Sequence, residues 1–211
     1  MTDRILVFDL DGTLSDPFVG IFRSMNYALS SHDYLPRSEA EIRTRIGPPL
    51  EATIAEFAET DDQEVIQRLV DTYRERYFAV GYAENQLYDG VIPTLAQLQN
   101  SGVKLGICTS KHPRAAALVL EEFGMSGFFT FLSGAEKATS KATQLQTLLH
   151  EEQIDGNAIM IGDRAIDLQA AKANSLRCAG VLWGFGDSQE LAAEQPDYLL
   201  EKPGDFLTLA G

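Results

Sequence analysis

The stretch Arg4-Ile-Leu-Val-Phe-Asp-Leu-Asp-Gly-Thr-Leu14 passes directly from an apolar run into a turn that carries two carboxylates. A continuous apolar run over residues 4–8 is typical of a strand covered on both faces, because a half-exposed strand would alternate. Asp9 ends this run, and Gly12 allows a sharp turn that exposes both Asp9 and Asp11. The stretch therefore predicts a buried strand with an acidic site at its carboxyl end.

Five further runs have the same short, apolar character and predict strands at 104–108, 128–132, 158–161, 178–182 and 198–200. From residue 90 onward they alternate with helical patterns at 92–100, 113–123, 140–151 and 166–173. Strands that alternate with helices indicate βαβ units with right-handed crossovers. The predicted fold class is therefore α/β, with a doubly wound parallel sheet.

The pattern changes between the first strand and residue 92, because residues 16–87 contain no convincing strand. Asp16 is predicted to cap a helix whose first residue is Pro17. The apolar residues that follow have the i, i+3, i+4 spacing of an amphipathic helix, namely Phe18, Ile21, Phe22, Met25 and Leu29. Further helices are predicted at 38–46, 50–58 and 62–77, with a break at Gly47-Pro48-Pro49.

We therefore predict a small all-helical cap domain over residues 16–87, inserted after strand 1 into a core domain made of residues 1–15 and 88–211. Such an insert lies over the carboxyl edge of the strands, where it can act as a lid. A chain of 211 residues has room for this arrangement and buries roughly 70% of its unfolded surface.

The charge balance restricts the kinds of partner. Seventeen Lys and Arg residues against 31 Asp and Glu residues give a formal net charge of −14, which argues against a nucleic-acid partner. The electrostatic field of this net negative charge would also repel an anionic phosphate. A phosphate site in this chain must therefore carry local positive charge from a cation, from Lys or Arg side chains and from backbone N–H groups.

Cysteine usage and hydropathy predict the compartment. Cys108 and Cys178 both lie in apolar runs without a CxxC pair, which predicts buried, reduced thiols. The first apolar run ends at Asp9 and is too short for a signal peptide, and no run approaches the ~20 apolar residues of a membrane span. We expect a cytoplasmic chain with no membrane partner.

Polar side chains also follow other apolar runs. Thr109-Ser110-Lys111 comes after the second run, Lys141 begins the helix after the third, and Gly162-Asp163-Arg-Ala-Ile-Asp167 follows the fourth. The carboxyl ends of parallel strands meet at one edge, where open α/β sheets bind ligands. Together the groups are carboxylates, hydroxyls and ammonium groups, which is the set that metal-assisted phosphoryl transfer needs.

Each motif by itself also has a purely structural explanation. Asp9 and Asp11 could form a surface turn, Asp163 could cap a helix, and Thr109 and Ser110 could do the same. Lys141 could be a solvated surface residue, in which case Lys137 is the competing candidate. Gly184-Phe-Gly186 lacks the third glycine of a dinucleotide fingerprint and predicts a tight loop beside the site.

Taken together and in this order, the motifs resemble those of the haloacid dehalogenase superfamily of phosphohydrolases with a small helical cap. Asp9-Leu-Asp-Gly-Thr-Leu14 is similar to the first motif, Thr109 to the second, Lys141 to the third, and Gly162-Asp163 to Asp167 to the fourth. Within that superfamily, Arg45-Ile-Gly-Pro-Pro-Leu and Val-Leu-Trp-Gly-Phe-Gly186 are similar to segments of phosphoglycolate phosphatase-like enzymes.

The resemblance implies a role for each site residue. Asp9 would be the nucleophile that forms an aspartyl-phosphate, and Asp11 would be the acid and then the base. Mg²⁺ would be held by Asp9, the backbone carbonyl of Asp11 and Asp163, with Asp167 in support. Thr109 and Lys141 would hold phosphate oxygens. Gly12, Ser110 and Lys111 are expected to bind substrate near the phosphate, and Arg45 to contact its other end.

The leading hypothesis is a Mg²⁺-dependent phosphomonoester hydrolase of a small phosphorylated metabolite, with phosphoglycolate first and nucleoside monophosphates second. A pyrophosphatase or a sugar phosphomutase with the same fold stays an alternative. A phospho-accepting signalling receiver is disfavoured, because receivers are shorter and need no acid two residues after the nucleophile. The chain is expected to be a monomer or a homodimer.

Overall fold

The computed structural model describes residues 4–136 and 139–211. In chain order its strands are β1 (Ile5–Phe8), β2 (Ser15–Asp16), β3 (Gln86–Leu87), β4 (Lys104–Thr109), β5 (Phe131–Gly134), β6 (Ile159–Gly162), β7 (Arg177–Val181) and β8 (Tyr198–Leu200). Its α-helices are α1 (Phe18–Ser31), α2 (Glu39–Arg43), α3 (Leu50–Phe57), α4 (Gln63–Ala79), α5 (Val91–Asn100), α6 (Pro113–Glu122), α7 (Lys141–His150), α8 (Ala165–Ala173) and α9 (Ser188–Ala193). Short 3₁₀ helices are η1 (Gly81–Ala83), η2 (Ser126–Phe128) and η3 (Pro203–Ala210).

Six strands form one parallel sheet in the order β5-β4-β1-β6-β7-β8. The predicted α/β fold with a parallel sheet is confirmed. Strand β1 lies at the centre, between β4 and β6, and this position explains its continuous apolar run. Leu6 and Phe8 pack into the apolar core on one face of the sheet, whereas Ile5 and Val7 pack into the core on the other.

The third predicted strand, at 128–132, is displaced in the structure. Residues Ser126–Phe128 form η2, and β5 runs from Phe131 to Gly134, so that its last residue pairs with Thr109 of β4. Phe128 and Phe129 belong to the apolar run but pack against the core from outside the sheet. Hydrophobicity alone does not distinguish these two kinds of burial.

Helices α1 to α4 supply most of a third apolar cluster, which also includes Ala115 of α6. Met25 and Leu29 of α1 are buried in it, as the spacing predicted, together with Ile54 of α3 and Leu69 of α4. The predicted capping of α1 is wrong by one residue. Pro17 occupies the N-cap position, Phe18 is the first helical residue, and the Asp16 carboxylate accepts a hydrogen bond from the Phe18 N–H.

The expectation that residues 16–87 contain no strand is also wrong. Ser15 pairs with Leu87 and Asp16 with Gln86, so that β2 and β3 form a two-stranded antiparallel sheet. Two residues on each side are too few to show any alternation in the sequence. The pair joins the point where the chain leaves the core to the point where it returns. No helix within residues 4–136 and 139–211 is long and apolar enough to cross a membrane.

Candidate active site

Strand ends bring the sequence motifs to one edge of the sheet. Asp9 follows the last residue of β1, Thr109 is the last residue of β4, and Asp163 follows the last residue of β6. Because β4 and β6 flank β1 in parallel register, with Ile107 and Ile161 both beside Phe8, these groups converge. Lys141 begins α7 and Asp167 lies in the first turn of α8, above the same edge.

Three carboxyl groups form a buried acidic cluster. Asp9, Asp163 and Asp167 each offer an oxygen, and these oxygens lie within 4.8 Å of one another. Burial, together with repulsion from Asp167 and Asp9, holds the pKa of Asp163 well above its ordinary value. Burial also raises the pKa of Asp167 to about 6. Such a cluster is stabilised by positive charge.

Lys141 supplies part of that positive charge. Its Nζ lies 2.9 Å from an Asp9 carboxylate oxygen and also donates to the carboxylate of Asp167. Burial favours the neutral amine, but the two carboxylates outweigh burial and raise the pKa of Lys141 above its ordinary value. The residue is 2% exposed, which excludes a solvated surface lysine. The competing candidate, Lys137, lies outside the described residues.

Asp11 lies in a different environment from Asp9. One of its carboxylate oxygens is 2.6 Å from the Nζ of Lys111, while the other is buried and accepts no hydrogen bond within the described residues. Burial raises the pKa of Asp11 above its ordinary value, against the effect of Lys111. The Lys111 ammonium also lies 4.7 Å from the ring centroid of Tyr77 on α4. The two carboxylates of the first motif are therefore paired with different lysines.

Backbone packs tightly around Asp163. Gly12 has a φ of +83°, and a Cβ at this position would lie 2.2 Å from an Asp163 carboxylate oxygen. A Cβ at Gly184 would lie 2.3 Å from the Cβ of Asp163. The Phe185 N–H donates to the Asp163 carboxylate at 2.7 Å. The loop at Gly184-Phe-Gly186 is thus the tight loop beside the site that the sequence predicted.

A cavity of about 100 Å³ separates this edge from the helical segment. Asp9, Asp11, Thr109, Ser110 and Lys111 line it on the sheet side. Thr109 is buried, and its hydroxyl accepts a hydrogen bond from the Lys111 N–H at 3.3 Å.

Arg45 lines the same cavity from the helical segment. Its guanidinium is already paired with Glu56 of α3 through two hydrogen bonds, one of which joins Nε to Oε2 at 2.8 Å. The prediction of Arg45 as a substrate contact did not include this partner. The cavity nevertheless brings Arg45 into the same space as Asp9 and Asp11.

Sequence reasoning missed several residues that link the helical segment to the sheet. Arg164 donates to the backbone carbonyl of Ile46 and pairs with Glu190 at 2.9 Å. Tyr73 and Tyr77 line the cavity, although their i, i+4 spacing is equally typical of a helix face in a core. The only signal for Arg164 was its position between Asp163 and Asp167.

The donor set fits a divalent cation. If all groups are ionised, the four carboxylates of Asp9, Asp11, Asp163 and Asp167 exceed the ammonium groups of Lys111 and Lys141 by two charges. Carboxylate and carbonyl oxygens are the ligands that Mg²⁺ prefers. The excess matches the charge of one divalent cation, which would relieve the repulsion within the cluster.

Comparison with known proteins identifies the family of the chain. Residues 6–181 match the family model described as haloacid dehalogenase-like hydrolase. The chain is 34% identical to the tyrosine-protein kinase PtkA of Mycobacterium tuberculosis over 87% of its own length, but it spans only 63% of that kinase. It is 35% identical to a 5'-nucleotidase of Pseudomonas aeruginosa, covering 92% of this chain and 89% of the relative.

A solved structure is also similar over its whole length. The crystal structure of a predicted phosphatase from Clostridium acetobutylicum superposes with a TM-score of 0.91 at 31% sequence identity, covering 99% of this chain and 98% of that one. These matches confirm the resemblance that the four motifs indicated. The chain belongs to the haloacid dehalogenase-like hydrolase family.

Proposed function

We propose that this chain is a Mg²⁺-dependent phosphomonoester hydrolase that acts on a small phosphorylated metabolite through an aspartyl-phosphate. The observation that carries the proposal is that the carboxylates of Asp9 and Asp11 have different partners. Both line one cavity, yet Asp9 is held by Lys141 in the acidic cluster, while Asp11 pairs with Lys111. Hydrolysis in two steps needs one carboxylate as nucleophile and another as proton carrier.

In the first step an Asp9 oxygen attacks phosphorus and the bond to the leaving-group oxygen breaks. Asp11 gives its proton to that oxygen, so that the product leaves as a neutral alcohol. The raised pKa of Asp11, which is caused by burial, favours the protonated acid that this step requires. In the second step Asp11 takes a proton from water, which attacks the aspartyl-phosphate and releases inorganic phosphate.

Phosphate oxygens would be bound by donors around Asp9. Thr109 and Ser110 line the same cavity as Asp9, and the Lys141 ammonium pairs with Asp9. Lys111 lies beside Asp11, and Gly12 lies in the turn that follows Asp11. Donors fixed in place before the reaction stabilise charge that develops in the transition state.

Mg²⁺ would be held by the carboxylates of Asp9 and Asp163 and the backbone carbonyl of Asp11, with Asp167 in support. When bound, it would neutralise charge on the phosphoryl group. Asp167 also keeps Lys141 in place, because the Lys141 ammonium donates to its carboxylate.

Residues 16–87 would act as the cap domain over the core of residues 1–15 and 88–211. Support comes from the apolar cluster that these residues mostly form among themselves and from the β2 and β3 pair, which forms a narrow connection to the core. Closure would exclude water while the first step occurs. Arg45 is our candidate for contacting the non-phosphate part of the substrate, because it lines the cavity from the cap.

A phosphate-release screen tests this function. Phosphoglycolate, nucleoside monophosphates, sugar phosphates and pyrophosphate are each incubated with the protein, with Mg²⁺ or with EDTA. We expect release from at least one substrate with Mg²⁺ only. Asp9→Asn is expected to abolish it, whereas the exposed Asp61→Asn on the cap serves as the matched control.

Two results would contradict the proposal. Substantial turnover by Asp9→Asn would show that another group is the nucleophile. Transfer of phosphate between positions on a sugar, through a bisphosphate and without net release, would instead identify a mutase.

A further inference from the structure

Every Lys and Arg that lines the active-site cavity within the described residues already has a carboxylate partner. Arg45 pairs with Glu56. Arg74 of α4 pairs with Glu51 at 3.0 Å. Lys111, which follows β4, pairs with Asp11 at 2.6 Å. Lys111 is assigned to the phosphate end of the substrate, where protonation of Asp11 would remove the charge of its partner. The cations left for the leaving group are Arg45 and Arg74, and both already have a carboxylate partner.

His112 is disfavoured as a further cation in this cavity. Burial lowers its pKa below the ordinary value. Its Nδ1 accepts a hydrogen bond from the Arg114 N–H at 3.2 Å, which uses the imidazole as an acceptor. Arg114 itself lies over the Phe78 ring, 4.6 Å from its centroid.

Most of the remaining cap side of the cavity is apolar, although Thr53 also lines it and the buried Tyr77 hydroxyl has no hydrogen-bond partner within the described residues. Ile21, Met25, Ile42 and Leu50 line it, together with the aromatic rings of Tyr73 and Phe78. The Tyr73 ring stacks on that of Tyr77, with centroids 5.6 Å apart and an angle of 10° between the planes. Such a wall favours a leaving group with hydrocarbon or ring surface.

We propose that the substrate's leaving group is an uncharged alcohol or phenol with apolar surface, which packs against this wall of the cap. The inference rests on the proposed phosphohydrolase function and narrows its substrate class. A carboxylate or a second phosphate that packed against the apolar wall would lose hydration, and the two arginines within the cavity already have carboxylate partners. Phosphoglycolate and pyrophosphate therefore rank below neutral esters, of which nucleoside monophosphates are one kind.

Matched pairs of esters test the charge of the leaving group. 2-Hydroxyethyl phosphate and 2-phosphoglycolate share a skeleton and differ in the carboxylate, as do phenyl phosphate and 4-carboxyphenyl phosphate. We expect kcat/KM to be at least about tenfold higher for the neutral member of each pair. Equal or faster turnover of the carboxylates would overturn the inference.

Freeing the cap arginines provides the second test. Glu56→Gln removes the charge that neutralises Arg45, and Glu51→Gln does the same for Arg74. Both variants are expected to raise kcat/KM for 2-phosphoglycolate relative to 2-hydroxyethyl phosphate by about tenfold. Glu75→Gln, an exposed glutamate on α4, is the matched control and should leave the ratio unchanged. An unchanged ratio in all three variants would refute the role assigned to the ion pairs.

Binding separates this inference from the proposed function. Isothermal titration of the Asp9→Asn protein with the same four esters measures selectivity without turnover. If no ester is hydrolysed by the native protein, the proposed function fails, and the titration still decides the present inference. Tighter binding of the neutral members supports it, and tighter or equal binding of the carboxylates overturns it.

Discussion

Arg164 extends from the acidic edge of the sheet to the backbone carbonyl of Ile46 in the helical segment. Its own N–H donates to the Asp167 carboxylate at 3.0 Å, and its Nε pairs with Glu190 at 2.9 Å. Ile46 lines the cavity of the candidate active site. One residue thus connects the carboxylate cluster to the loop that covers it.

Replacing Arg164 by Ala is expected to weaken closure of the helical segment. Loss of one charge-assisted hydrogen bond costs about 1.5–3 kcal/mol, which corresponds to roughly a 10- to 100-fold fall in kcat/KM if closure precedes chemistry. Steady-state kinetics and limited proteolysis of residues 44–50 measure the two effects. The control is Arg177→Ala, which removes a comparable hydrogen bond to the Asn157 carbonyl. Equal losses in both variants would contradict a specific role for Arg164.

Lys141→Met tests the buried positive charge. Removing one partner of a buried ion pair destabilises a protein by about 3–5 kcal/mol, because the carboxylates of Asp9 and Asp167 are left without a counter-charge. Urea unfolding at neutral pH measures the loss.

The same variant has an expected pH dependence. Burial already raises the pKa of Asp167, and loss of the Lys141 ammonium raises it further, so the folded variant binds a proton on Asp167 more readily than the unfolded state does. The stability of the variant therefore rises as pH falls. The difference in unfolding free energy from the native protein should narrow as pH falls towards about 6, which is the pKa of Asp167 in the native protein. Exposed Lys172→Met is the control, and a gap independent of pH would argue against the explanation.

Gly12→Ala tests the contact with Asp163 separately from backbone strain. Gly12 and Gly102 have similar φ values of +83° and +79°, but only at Gly12 would a Cβ collide with a neighbour. Both substitutions cost about 1–2 kcal/mol for the left-handed conformation, and Gly12→Ala should cost about 1–3 kcal/mol more for the collision. Thermal unfolding of the two variants gives the difference. Identical values would mean that Asp163 moves aside without cost.

The two cysteines are expected to be unreactive in the folded protein. Both thiols are buried and free, and burial raises the pKa of Cys108 to about 12 and that of Cys178 above its ordinary value. At about pH 8 the native protein should react with a thiol reagent only as fast as it unfolds. Absorbance after mixing with the reagent, with and without denaturant, measures this. Rapid labelling of either thiol in the folded protein would contradict it.

Predictability differed between parts of the fold for physical reasons. Strand β1 was predictable because its burial on both faces demands a continuous apolar run, and the order of strands and helices predicted the parallel sheet. The start of β5 was not predictable, because Phe128 and Phe129 are apolar residues that pack against the core from outside the sheet. The pairing of β2 with β3 involves too few residues for any pattern to emerge.

The candidate site likewise has features that could be predicted from the sequence and features that could not. The groups that meet could be predicted from the chain alone, because the carboxyl ends of parallel strands share one edge of the sheet. Asp9 and Asp163 directly follow strands, Thr109 ends one, and Lys141 begins the helix that follows β5. The partner of each charged side chain, in contrast, depends on the three-dimensional packing. Arg45 with Glu56 and Arg164 with Ile46 join separate elements, through contacts that depend on how the helical segment packs and leave no periodic pattern in the chain.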